Sequence, residues 1–458
     1  MSKSAAKAAL QAPSRRPATE ILSELIDRVK RMGADAADAI FVEGISLSTT
    51  WRMGKLEDVE RAEGHDLGLR VFVGKRQATV SATDLSERSL GPLPDRVLAM
   101  ARLAPEDPYC GLAPRELLAK SFPVLDIDDD FEPSTERLVA LARAAEESAL
   151  SVEGITNSEG GSAGWGRSRV TLATSEGFSQ TYGGSSSSVS CSVLAGSGTA
   201  MERDYDFTSA RHFGDLGSAE EVGRNAAQRA LKRLNPRKMK SCSVPVVYDP
   251  RDSMSLLGHF AGAINGISVA RGTSFLKDKM GEQLFRRGIR IIDDPHRKRG
   301  HRSKPFDGEG VANRKTALID NGVLQTWLLD SAAARQLKLT STGHAARGTG
   351  GPPSPSTTNL YMEPGALTPK ELIADITQGF YVTELIGFGV NGVTGDYSRG
   401  AAGFWIENGE IAYPVSEITI AGNLKDMFRN LTPANDLVFK YGTNAPTLRV
   451  EGMTVAGA

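Results

Sequence analysis

Cysteine is scarce in this sequence, and its scarcity excludes two kinds of protein. Three cysteines occur among 458 residues, at Cys110, Cys191 and Cys242. They lie far apart, are odd in number and form no C-x-x-C pair, so the sequence predicts neither a disulfide framework nor a cysteine-rich zinc site. This usage is typical of a reducing compartment, and we expect a cytoplasmic protein.

Long apolar runs and an excess of charge of either sign are also missing. The longest apolar stretches, such as residues 244–248, are much shorter than the roughly 20 residues of a membrane-spanning helix. Lysine and arginine number 54 and aspartate and glutamate 55, which gives a formal net charge of -1. A near-neutral chain has no general attraction to nucleic acid or to an anionic membrane, and we expect neither as a partner.

The N-terminal stretch lacks the features of an export signal. Residues 1–19 are rich in Ala, Ser, Arg and Pro, and no apolar segment follows the pair Arg15-Arg16. We therefore expect a disordered tail over residues 1–19, with an organellar transit peptide as the alternative. The rest of the chain is too long for one compact domain. Three further units are predicted, at residues 20–120, 121–238 and 239–458.

The first unit is predicted to begin with a helix and to continue as a small antiparallel meander. Apolar residues between Ile21 and Val29 recur at the spacing of one helix face, and Gly33 ends the pattern. A second helix is predicted over residues 84–103, and the proline-containing stretch 105–133 is interpreted as a connection. The extended segments of the meander are predicted at residues 39–43, 46–53, 67–73 and 77–82.

The second unit is rich in serine and glycine and is predicted to hold strands between two helices. Ser134 is the expected cap of the first of these helices. Residues 185–192 are mostly serine but alternate with apolar residues further on, which favours a strand over a low-complexity linker. The predicted helices and strands cover residues 133–150, 169–173, 178–182 and 218–234.

The third unit is predicted to consist mostly of strands. A short strand at residues 244–248 precedes a helix of small residues at 253–267. Further on, Asn321-Gly322 and Asn408-Gly409 each separate two extended apolar segments. Asn-Gly accepts positive φ at both central positions of a tight hairpin, so two such pairs predict an antiparallel sheet or a barrel. The predicted fold class of the whole chain is α+β.

Several long sequence boxes resemble the signature of the TldD/PmbA family. Residues 389–400 read G-V-N-G-V-T-G-D-Y-S-R-G, followed by G-F-W-I-E-N-G-E at 403–410 and P-V-S-E-I-T-I-A-G-N-L at 414–424. Upstream, S-K-P-F-D-G-E-G at 303–310 resembles the family's S-x-P-F-D-x-E-G box. T-G-H-A-A-R at 342–347 resembles its T-G-N-A-x-R segment, with His344 in place of the usual asparagine. Together with smaller motifs, the resemblance extends from about residue 20 onward.

The family has two branches, and the resemblance is to the PmbA branch, also called TldE. TldD-type chains carry an H-E-x-x-x-H helix and a later cysteine that contribute to a metal site. The corresponding residues 256–264 read L-L-G-H-F-A-G-A-I, so His259 is the only remnant, and no cysteine follows Cys242. A catalytic zinc needs about three protein ligands and a peptidase also needs a carboxylate base. We therefore expect no catalytic residue, no metal site and no cofactor in this chain.

The resemblance implies that this chain forms a complex with a TldD-type zinc protease subunit. Such a complex is expected to cleave unfolded or extended peptides, including the maturation of peptide antibiotics and the degradation of antitoxins, with the zinc in the partner. Side chains of the glycine-rich run are the candidate contacts to peptide or partner, although side chains that only stabilise turns would have the same sequence. These candidates are Asn391, Thr394, Asp396, Ser398 and Arg399.

Two other functions remain open at this point. One is an autonomous hydrolase with an unrecognised site, and the other is a regulatory protein that acts on a DNA enzyme such as gyrase. The basic loop at residues 296–302, which holds His296 and His301, could contact an acidic partner, although a solvated loop is the simpler interpretation. The carboxylate pair Asp307 and Glu309 could bind a cation or act as acid and base, or could serve local hydrogen bonds.

Overall fold

The first half of the chain forms one antiparallel sheet that is covered by helices. The computed structural model describes residues 16–457, so residues 1–15 of the predicted tail lie outside the described residues. The helices and strands of this half are α1 (Ala18–Arg31), β1 (Ala36–Arg52), β2 (Lys55–Val73), β3 (Arg76–Ala82), α2 (Glu87–Leu90), α3 (Leu93–Leu103), α4 (Thr135–Leu150), β4 (Ile155–Thr174), β5 (Ser179–Ala195), β6 (Glu202–Ala210) and α5 (Ala219–Lys232).

The strands of this first sheet lie in the order β3-β2-β1-β4-β5-β6, and each neighbouring pair is antiparallel. Strand β1 pairs with β2 on one side and with β4 on the other. The sheet therefore runs across the predicted limit between the first and second units. Residues 105–133 connect the two parts with a single 3-10 turn, Arg115–Leu117, and otherwise without regular structure.

Helices cover the first sheet at both ends. The face of α1 that the periodicity predicts is the face that is buried, and it packs against Leu67 and Leu69 of β2. At the other end α4 and α5 pack on β4, β5 and on each other. A Cβ atom on Gly223 of α5 would lie 1.9 Å from the carbonyl oxygen of Ala145 in α4. Only glycine permits that approach of the two helix backbones.

The helix starts of the second unit were predicted correctly, whereas the strands are longer than predicted. Ser134 accepts a hydrogen bond from the N–H of Arg137 at 3.3 Å and caps α4, as expected. Strand β1 is one strand of 17 residues rather than two segments, and β2 has 19 residues where only its last part was expected. The pairing continues through Gly44 and Gly64, which lie opposite each other, because an extended glycine keeps its place in the ladder.

The predicted helix over residues 84–103 is wrong in its continuity, because it is two helices. Helix α2 ends at Leu90 and α3 begins at Leu93. Gly91 and Pro92 lie between them, and a proline at that position cannot donate the backbone hydrogen bond that would continue α2. The chain therefore changes direction at the point where α2 closes over the first sheet.

The second half of the chain is rich in strands and contains a closed barrel. Its elements are β7 (Cys242–Tyr248), α6 (Pro250–Ala263), α7 (Gly266–Ala270), β8 (Ile291–Asp293), β9 (Thr316–Asp320), β10 (Val323–Leu324), α8 (Ser331–Leu337), β11 (Ala345–Ala346), β12 (Ser354–Pro355), β13 (Leu360–Met362), α9 (Pro369–Ile373), β14 (Gln378–Ile386), β15 (Asp396–Glu407), β16 (Glu410–Asn423), α10 (Leu424–Arg429), β17 (Leu431–Pro433), β18 (Thr443–Asn444) and β19 (Leu448–Ala456).

The barrel is closed by hydrogen bonds between β16 and β19, the strands at the two ends of its ring. The strand order is β16-β15-β14-β7-β19-β17, and β16 also pairs with β19, so that five strands form a ring. The pair β7 and β14 is parallel, and the other pairs of the ring are antiparallel. A second sheet, β10-β9-β8-β13-β18, packs beside the barrel and shares its apolar core.

Both Asn-Gly turns of the third unit are confirmed as hairpins. Asn321 and Gly322 have φ values of 48° and 81°, and Asn408 and Gly409 have 51° and 81°. The first turn joins β9 to β10 and the second joins β15 to β16. The hairpins were predicted because Asn-Gly accepts positive φ at both central positions of the turn, and both pairs adopt this conformation.

The fold is α+β with an antiparallel first sheet and a C-terminal barrel, as predicted. The helix expected over residues 253–267 is shorter, because α6 ends at Ala263 and α7 begins again at Gly266. Asn265 causes this restart, since its side chain accepts a hydrogen bond from the N–H of Ile267 at 3.0 Å and caps α7. None of the helices between residues 16 and 457 combines the length and the apolar character needed to span a bilayer.

Candidate functional site

Helix α6 carries the candidate site and starts directly from a barrel strand. Strand β7 ends at Tyr248, and Asp249 caps the helix by accepting a hydrogen bond from the N–H of Arg251 at 3.0 Å. Pro250 occupies the first helical position, where its missing N–H costs nothing. The buried side of the helix packs into the core of the barrel half. The position of α6 is therefore fixed by the barrel.

His259 lies on α6 as a neutral, partly buried imidazole. Its ring packs edge-on against Tyr397 of β15, with 5.9 Å between the ring centroids. Burial lowers the pKa of His259 below the ordinary value, and the guanidinium of Arg399 lowers it further. Within the described chain its Nε2 atom is buried and has no hydrogen-bond partner. The side chain is held by packing and not by a polar network.

The outer side of α6 carries two glycines and an alanine next to His259. Gly258 and Gly262 are exposed, and apart from their chain neighbours and the nearby backbone of α6 no described atom lies within 4 Å of a Cβ atom built on either of them. Ala261 and His259 flank this open strip. We call the surface formed by these four residues the α6 strip. It leaves room for another chain to approach the helix backbone closely.

The residues around His259 do not fit a zinc ion. The neighbours that bear on it are a phenol, Tyr397, and a cation, Arg399, and neither is a zinc ligand of the usual kind. Between residues 16 and 457, no three His, Cys, Asp or Glu side chains are grouped so that they could hold a metal ion.

Asp252 is a buried carboxyl group at the start of α6 that the sequence analysis missed. Burial, and next to it the carboxylate of Asp249, raises the pKa of Asp252 to about 7. Its Oδ2 atom has no hydrogen-bond partner in the part of the chain that the structure describes. Asp252 lies seven residues before His259 on the same helix, a spacing that could have drawn attention to it. Two of its acidic neighbours, Glu384 and Asp204, come from distant parts of the sequence and could not be foreseen.

Ion pairs join the start of α6 to the first sheet. The guanidinium of Arg251 contacts Asp204 of β6 at 2.9 Å. Arg233, just after α5, lies 3.6 Å from the same carboxylate and also pairs with Glu384 of β14. The side chains of Arg233, Arg251 and Asp204 are largely buried. These pairs therefore fix the barrel against the edge of the first sheet near β6.

Three of the five predicted contact residues are engaged in stabilising their own loop. The side chain of Asn391 accepts a hydrogen bond from the N–H of Val393 at 2.9 Å. Thr394 donates to Asp396 at 2.6 Å, and Asn423 donates to the other oxygen of Asp396 at 3.0 Å. These are the turn-stabilising bonds that the sequence analysis named as the alternative. Whether the same side chains also touch a peptide or partner stays a prediction.

The other two predicted residues lie where the loop returns to the barrel. Ser398 has an exposed side chain, and its N–H donates to the carbonyl of Gly389 at 2.7 Å. Arg399 donates to the carbonyl of Ile386 at 3.4 Å and is the cation that acts on His259. The predicted contact region and His259 are thus brought together, through Arg399 and the neighbouring Tyr397.

The loop that holds these residues also presents apolar side chains to solvent. Phe388 is 98% exposed, and Ile386 and Val393 are 59% and 57% exposed. We call these three residues the apolar tip. Monomeric proteins rarely leave clustered large apolar side chains in water, and such clusters mark interaction sites. No property of the sequence pattern distinguished these residues from the core.

The carboxylate pair of the S-K-P-F-D-G-E-G box serves local hydrogen bonds. Asp307 is buried and accepts from the N–H groups of Glu309 and Ala345 at 2.9 and 3.0 Å. Glu309 accepts from the N–H of Ser331 at 2.8 Å, and burial together with Asp307 raises its pKa above the ordinary value. Both carboxyl groups hold loops together in the interior, away from solvent.

His344 and the basic loop of residues 296–302 also make contacts within the chain. His344, the departure from the family pattern, is buried and lies 2.8 Å from the hydroxyl of Thr342. In the basic loop, Arg299 contacts Asp126 at 2.6 Å and Asp215 at 2.7 Å. His296 bonds Asn313, and Arg297 lies over the ring of Phe439. The charge of Arg299 is therefore matched by two carboxylates, and His296 and Arg297 are engaged in contacts within the chain.

Comparison with known proteins agrees with this geometry. The chain matches, in order, PmbA/TldA metallopeptidase domain 1 over residues 37–106, the central domain over 128–234 and the C-terminal domain over 241–457. The chain belongs to the PmbA/TldD family. It is 39% identical over 445 residues to Metalloprotease PmbA of Escherichia coli O157:H7, a match that covers 96% of each chain. The expected membership of the PmbA branch is confirmed.

Other PmbA relatives support the same assignment. A Metalloprotease PmbA homolog of Haemophilus influenzae is 37% identical over 96% of each chain. Among solved structures, a candidate modulator of DNA gyrase from Bacteroides thetaiotaomicron superposes with a TM-score of 0.88 at 27% identity, over 96% of this chain and 98% of that one. TldE from Thermococcus kodakarensis superposes with a TM-score of 0.85 at 20% identity, over 95% and 99%, and shows the fold alone.

Proposed function

We propose that this PmbA-family chain is the non-catalytic subunit of a two-protein metallopeptidase whose zinc is held by a TldD-type partner. The observation that carries the proposal is the chemistry of α6. One imidazole, His259, stands there beside Arg399 and Tyr397, and a metal site for peptide hydrolysis needs two further ligands and a general base. The family is one of metallopeptidases, so the catalytic groups are assigned to another chain.

The residue after His259 gives a second reason. The H-E-x-x-x-H helix of TldD-type chains has glutamate at this position, and here it is Phe260. Phe260 is fully buried and packs edge-on against Phe285 and Phe428, with ring centroids 5.6 and 6.1 Å away. Its side chain is built into the core of the barrel half, and a carboxylate in its place would be buried without a partner.

The surfaces of α6 and of the neighbouring loop suit the role of a structural subunit. The α6 strip offers an open approach for an extended chain, and the apolar tip offers Phe388 as an anchor for a protein partner. In the proposal the chain thus shapes one wall of a substrate channel, with unfolded or extended peptides as the substrates. Maturation of peptide antibiotics and degradation of antitoxins belong to the proposal, as does a cytoplasmic location.

The decisive experiment compares three preparations on one unstructured peptide. They are this chain alone, its TldD-type relative alone and the co-purified pair, with the zinc content of each measured by elemental analysis. We expect cleavage by the pair, with zinc bound to the relative. Zinc binding together with chelator-sensitive cleavage by this chain alone would overturn the proposal.

The contribution of the apolar tip is tested by Phe388→Ser. We expect this change to weaken assembly of the pair by at least about tenfold, because an exposed aromatic anchor loses its buried area in the complex. Val438→Ser is the matched control, since Val438 is 68% exposed elsewhere on the surface. Equal assembly of the Phe388 variant and the control, measured by titration of labelled subunits, would remove the tip from the proposed interface.

Two other functions would give different results in the same preparations. An autonomous hydrolase would cleave without a partner and would be inhibited by a serine reagent or a chelator. A regulator of a DNA enzyme, the role named for the Bacteroides thetaiotaomicron relative, would form a stable complex with gyrase without proteolysis. The ion pairs of Arg299 with Asp126 and Asp215 give the basic loop a role within the chain and do not favour the gyrase regulator.

A further inference from the structure

Strand β2 has an open edge over more than half of its length. Only its last part, from Leu67 to Val73, pairs with β3, which ends at Ala82 opposite Leu67. Residues 55–64 pair with β1 on one side, and no other strand within residues 16–457 pairs with their backbone on the other side. The side chains of residues 55–64 are all exposed. This segment, residues 55–64, is called the open edge below.

The open edge has the geometry of a template for another strand. In an antiparallel ladder alternate residues turn their N–H and C=O groups outward, so about five residues of the open edge present both groups to solvent. Ten extended residues span about 33 Å. A strand added here would lie in line with β3 and would satisfy backbone groups that now depend on water. Leu56 and Val59, 48% and 42% exposed, supply apolar contacts along it.

The charge of the open edge selects the kind of strand that fits. The open edge contains two basic residues, Lys55 and Arg61, and four acidic residues, Glu57, Asp58, Glu60 and Glu63. Arg61 is already paired with Glu63 at 3.2 Å and with Glu132 at 2.9 Å. The free charge of the segment is therefore negative, and a second copy of the same segment would be repelled.

A cleft continues from the point where β3 ends. It encloses about 1030 Å³ between α1, the segment after β3 and the floor of the first sheet. Phe41 and Thr171 belong to its floor, and Glu24, Glu43 and Glu87 to its rim. Arg16, Arg28 and Arg169 line the same cleft, and Arg16 and Arg169 pair with Glu24 and Glu43. A chain that runs along the open edge would lead towards this cleft, but the preference for positive charge comes from the open edge itself.

We propose that the open edge binds an extended peptide segment of net positive charge as an additional antiparallel strand. This inference rests on the proposed function, because it makes the segment a peptide on its way to the partner's active site. Backbone pairing supplies affinity for any extended sequence, and the carboxylates along the edge favour lysine and arginine. An extended peptide has free backbone groups along its whole length, whereas a folded protein offers them only where it has an open edge strand of its own.

The experiment measures binding to the full chain by fluorescence anisotropy, without any cleavage. The probe is a labelled peptide of about twelve residues that alternates lysine with threonine, long enough to cover the edge. Its control is the same peptide with N-methylated central amides, which keeps the charge but cannot pair. We expect the N-methylated peptide to bind at least about tenfold more weakly. Equal binding of both peptides would overturn the proposal.

A pair of charge-reversal variants locates the site. Glu57→Lys with Glu60→Lys reverses the open edge, and Glu153→Lys with Glu410→Lys makes the same change at exposed acids elsewhere. We expect about a tenfold loss of peptide binding in the first variant and none in the second. An equal loss in both, or a loss in neither, would contradict the proposal. A native dimer of the unmodified chain that the edge variant abolishes would assign the edge to a second copy and would also overturn it.

Failure of this inference can be told apart from failure of the proposed function. If the co-purified pair cleaves the lysine-threonine peptide equally well with and without the edge variant, the open edge is not the binding site and the subunit role stands. If the pair cleaves nothing while this chain alone still distinguishes the two peptides, the subunit role fails and the edge remains a peptide site.

Discussion

The first sheet and the barrel differ in how the edges of their strands are paired. The ring of the barrel is closed by the pairing of β16 with β19, whereas the first sheet leaves residues 55–64 of β2 without a neighbouring strand on one side within the described chain. Closure removes the backbone groups on which another strand could add. The comparison suggests a division of roles, in which the barrel positions α6 rigidly and the first sheet receives an added strand.

Two glycines give the largest expected contrast. Gly403 lies in β15 inside the barrel wall, where a Cβ atom would be 2.0 Å from the carbonyl oxygen of Tyr381. Gly64 lies at the end of the open edge, with no described atom within 4 Å of the same added Cβ. We expect Gly403→Ala to cost about 3 kcal/mol or more of the free energy of unfolding, because the ladder itself must shift. Gly64→Ala should change it by less than about 0.5 kcal/mol.

Chemical denaturation of the two variants checks this contrast. If Gly403→Ala were as harmless as Gly64→Ala, the strands of the barrel would be free to separate, and the barrel would not be the rigid part of the molecule. If Gly64→Ala were the costly change, the open edge would be covered in solution, and the comparison would lose its basis.

The second contrast concerns pH and the junction between the two regions. Burial and the carboxylates of Asp249, Glu384 and Asp204 raise the pKa of Asp252, and the guanidinium of Arg251 opposes them. The folded pKa of about 7 exceeds the ordinary value of 3.8, so the native state binds the proton more tightly than the unfolded chain. The resulting stability is complete below about pH 4 and is lost as the pH rises through 7.

Asp252→Asn should therefore stabilise the chain selectively at high pH. We expect a gain of about 2 kcal/mol in the free energy of unfolding at pH 8 and little change at pH 4. Thermal unfolding of both proteins at the two pH values measures the difference. A gain of equal size at pH 4 and pH 8 would show that the amide acts through hydrogen bonding and not through the removed charge.

A helix cap gives a smaller effect on the cover of the first sheet. Ser134→Ala removes the hydrogen bond to the N–H of Arg137 and is expected to cost about 1 kcal/mol. Ser134→Gly is the control, because glycine at a cap costs only a few tenths of a kcal/mol. Urea denaturation of the three proteins compares them. Equal losses for alanine and glycine would mean that the side chain does more than cap α4.

The smallest expected effect on stability comes from neutralising the open edge. Glu57→Gln with Glu60→Gln should change the free energy of unfolding by less than about 0.5 kcal/mol, since both side chains are exposed. The same change should raise self-association, because charge on an open edge protects it from pairing with another copy. Sedimentation at several concentrations detects this. A variant that stays as monomeric as the parent would show that the edge is protected by something other than charge.

Local elements were predictable from the sequence, and long-range pairing was not. The face of α1, the cap of α4 and both Asn-Gly hairpins depend on residues close in sequence, and all were predicted correctly. The predicted extent of β2 was too short because residues 55–64 are exposed and show no apolar alternation, so they carry no burial signal. The closure of the barrel depends on β16 meeting β19, which no local pattern encodes.

The candidate site divides in the same way. His259 and the loop of residues 389–400 were found through the family resemblance, and the structure brings them together. Asp252 and the exposure of Phe388 were missed, because the first depends on carboxylates from β6 and β14 and the second on where a loop ends in space. The burial and the charge of a site depend on the whole fold, whereas a motif can be recognised in the sequence alone.

The place of β19 in the barrel has a consequence for how the protein is made. Strand β7 lies between β14 and β19, and β19 also joins β16 to the ring. A growing chain that has just produced β7 must therefore wait for residues 448–456 before the ring can close, on the order of ten seconds or more at ordinary rates of translation. During that delay the first sheet, whose strands all precede residue 211, can already be complete. The nascent chain would then hold a folded N-terminal half beside an unclosed barrel. At this stage the unpaired barrel strands are exposed, and a chaperone that covers them would prevent aggregation.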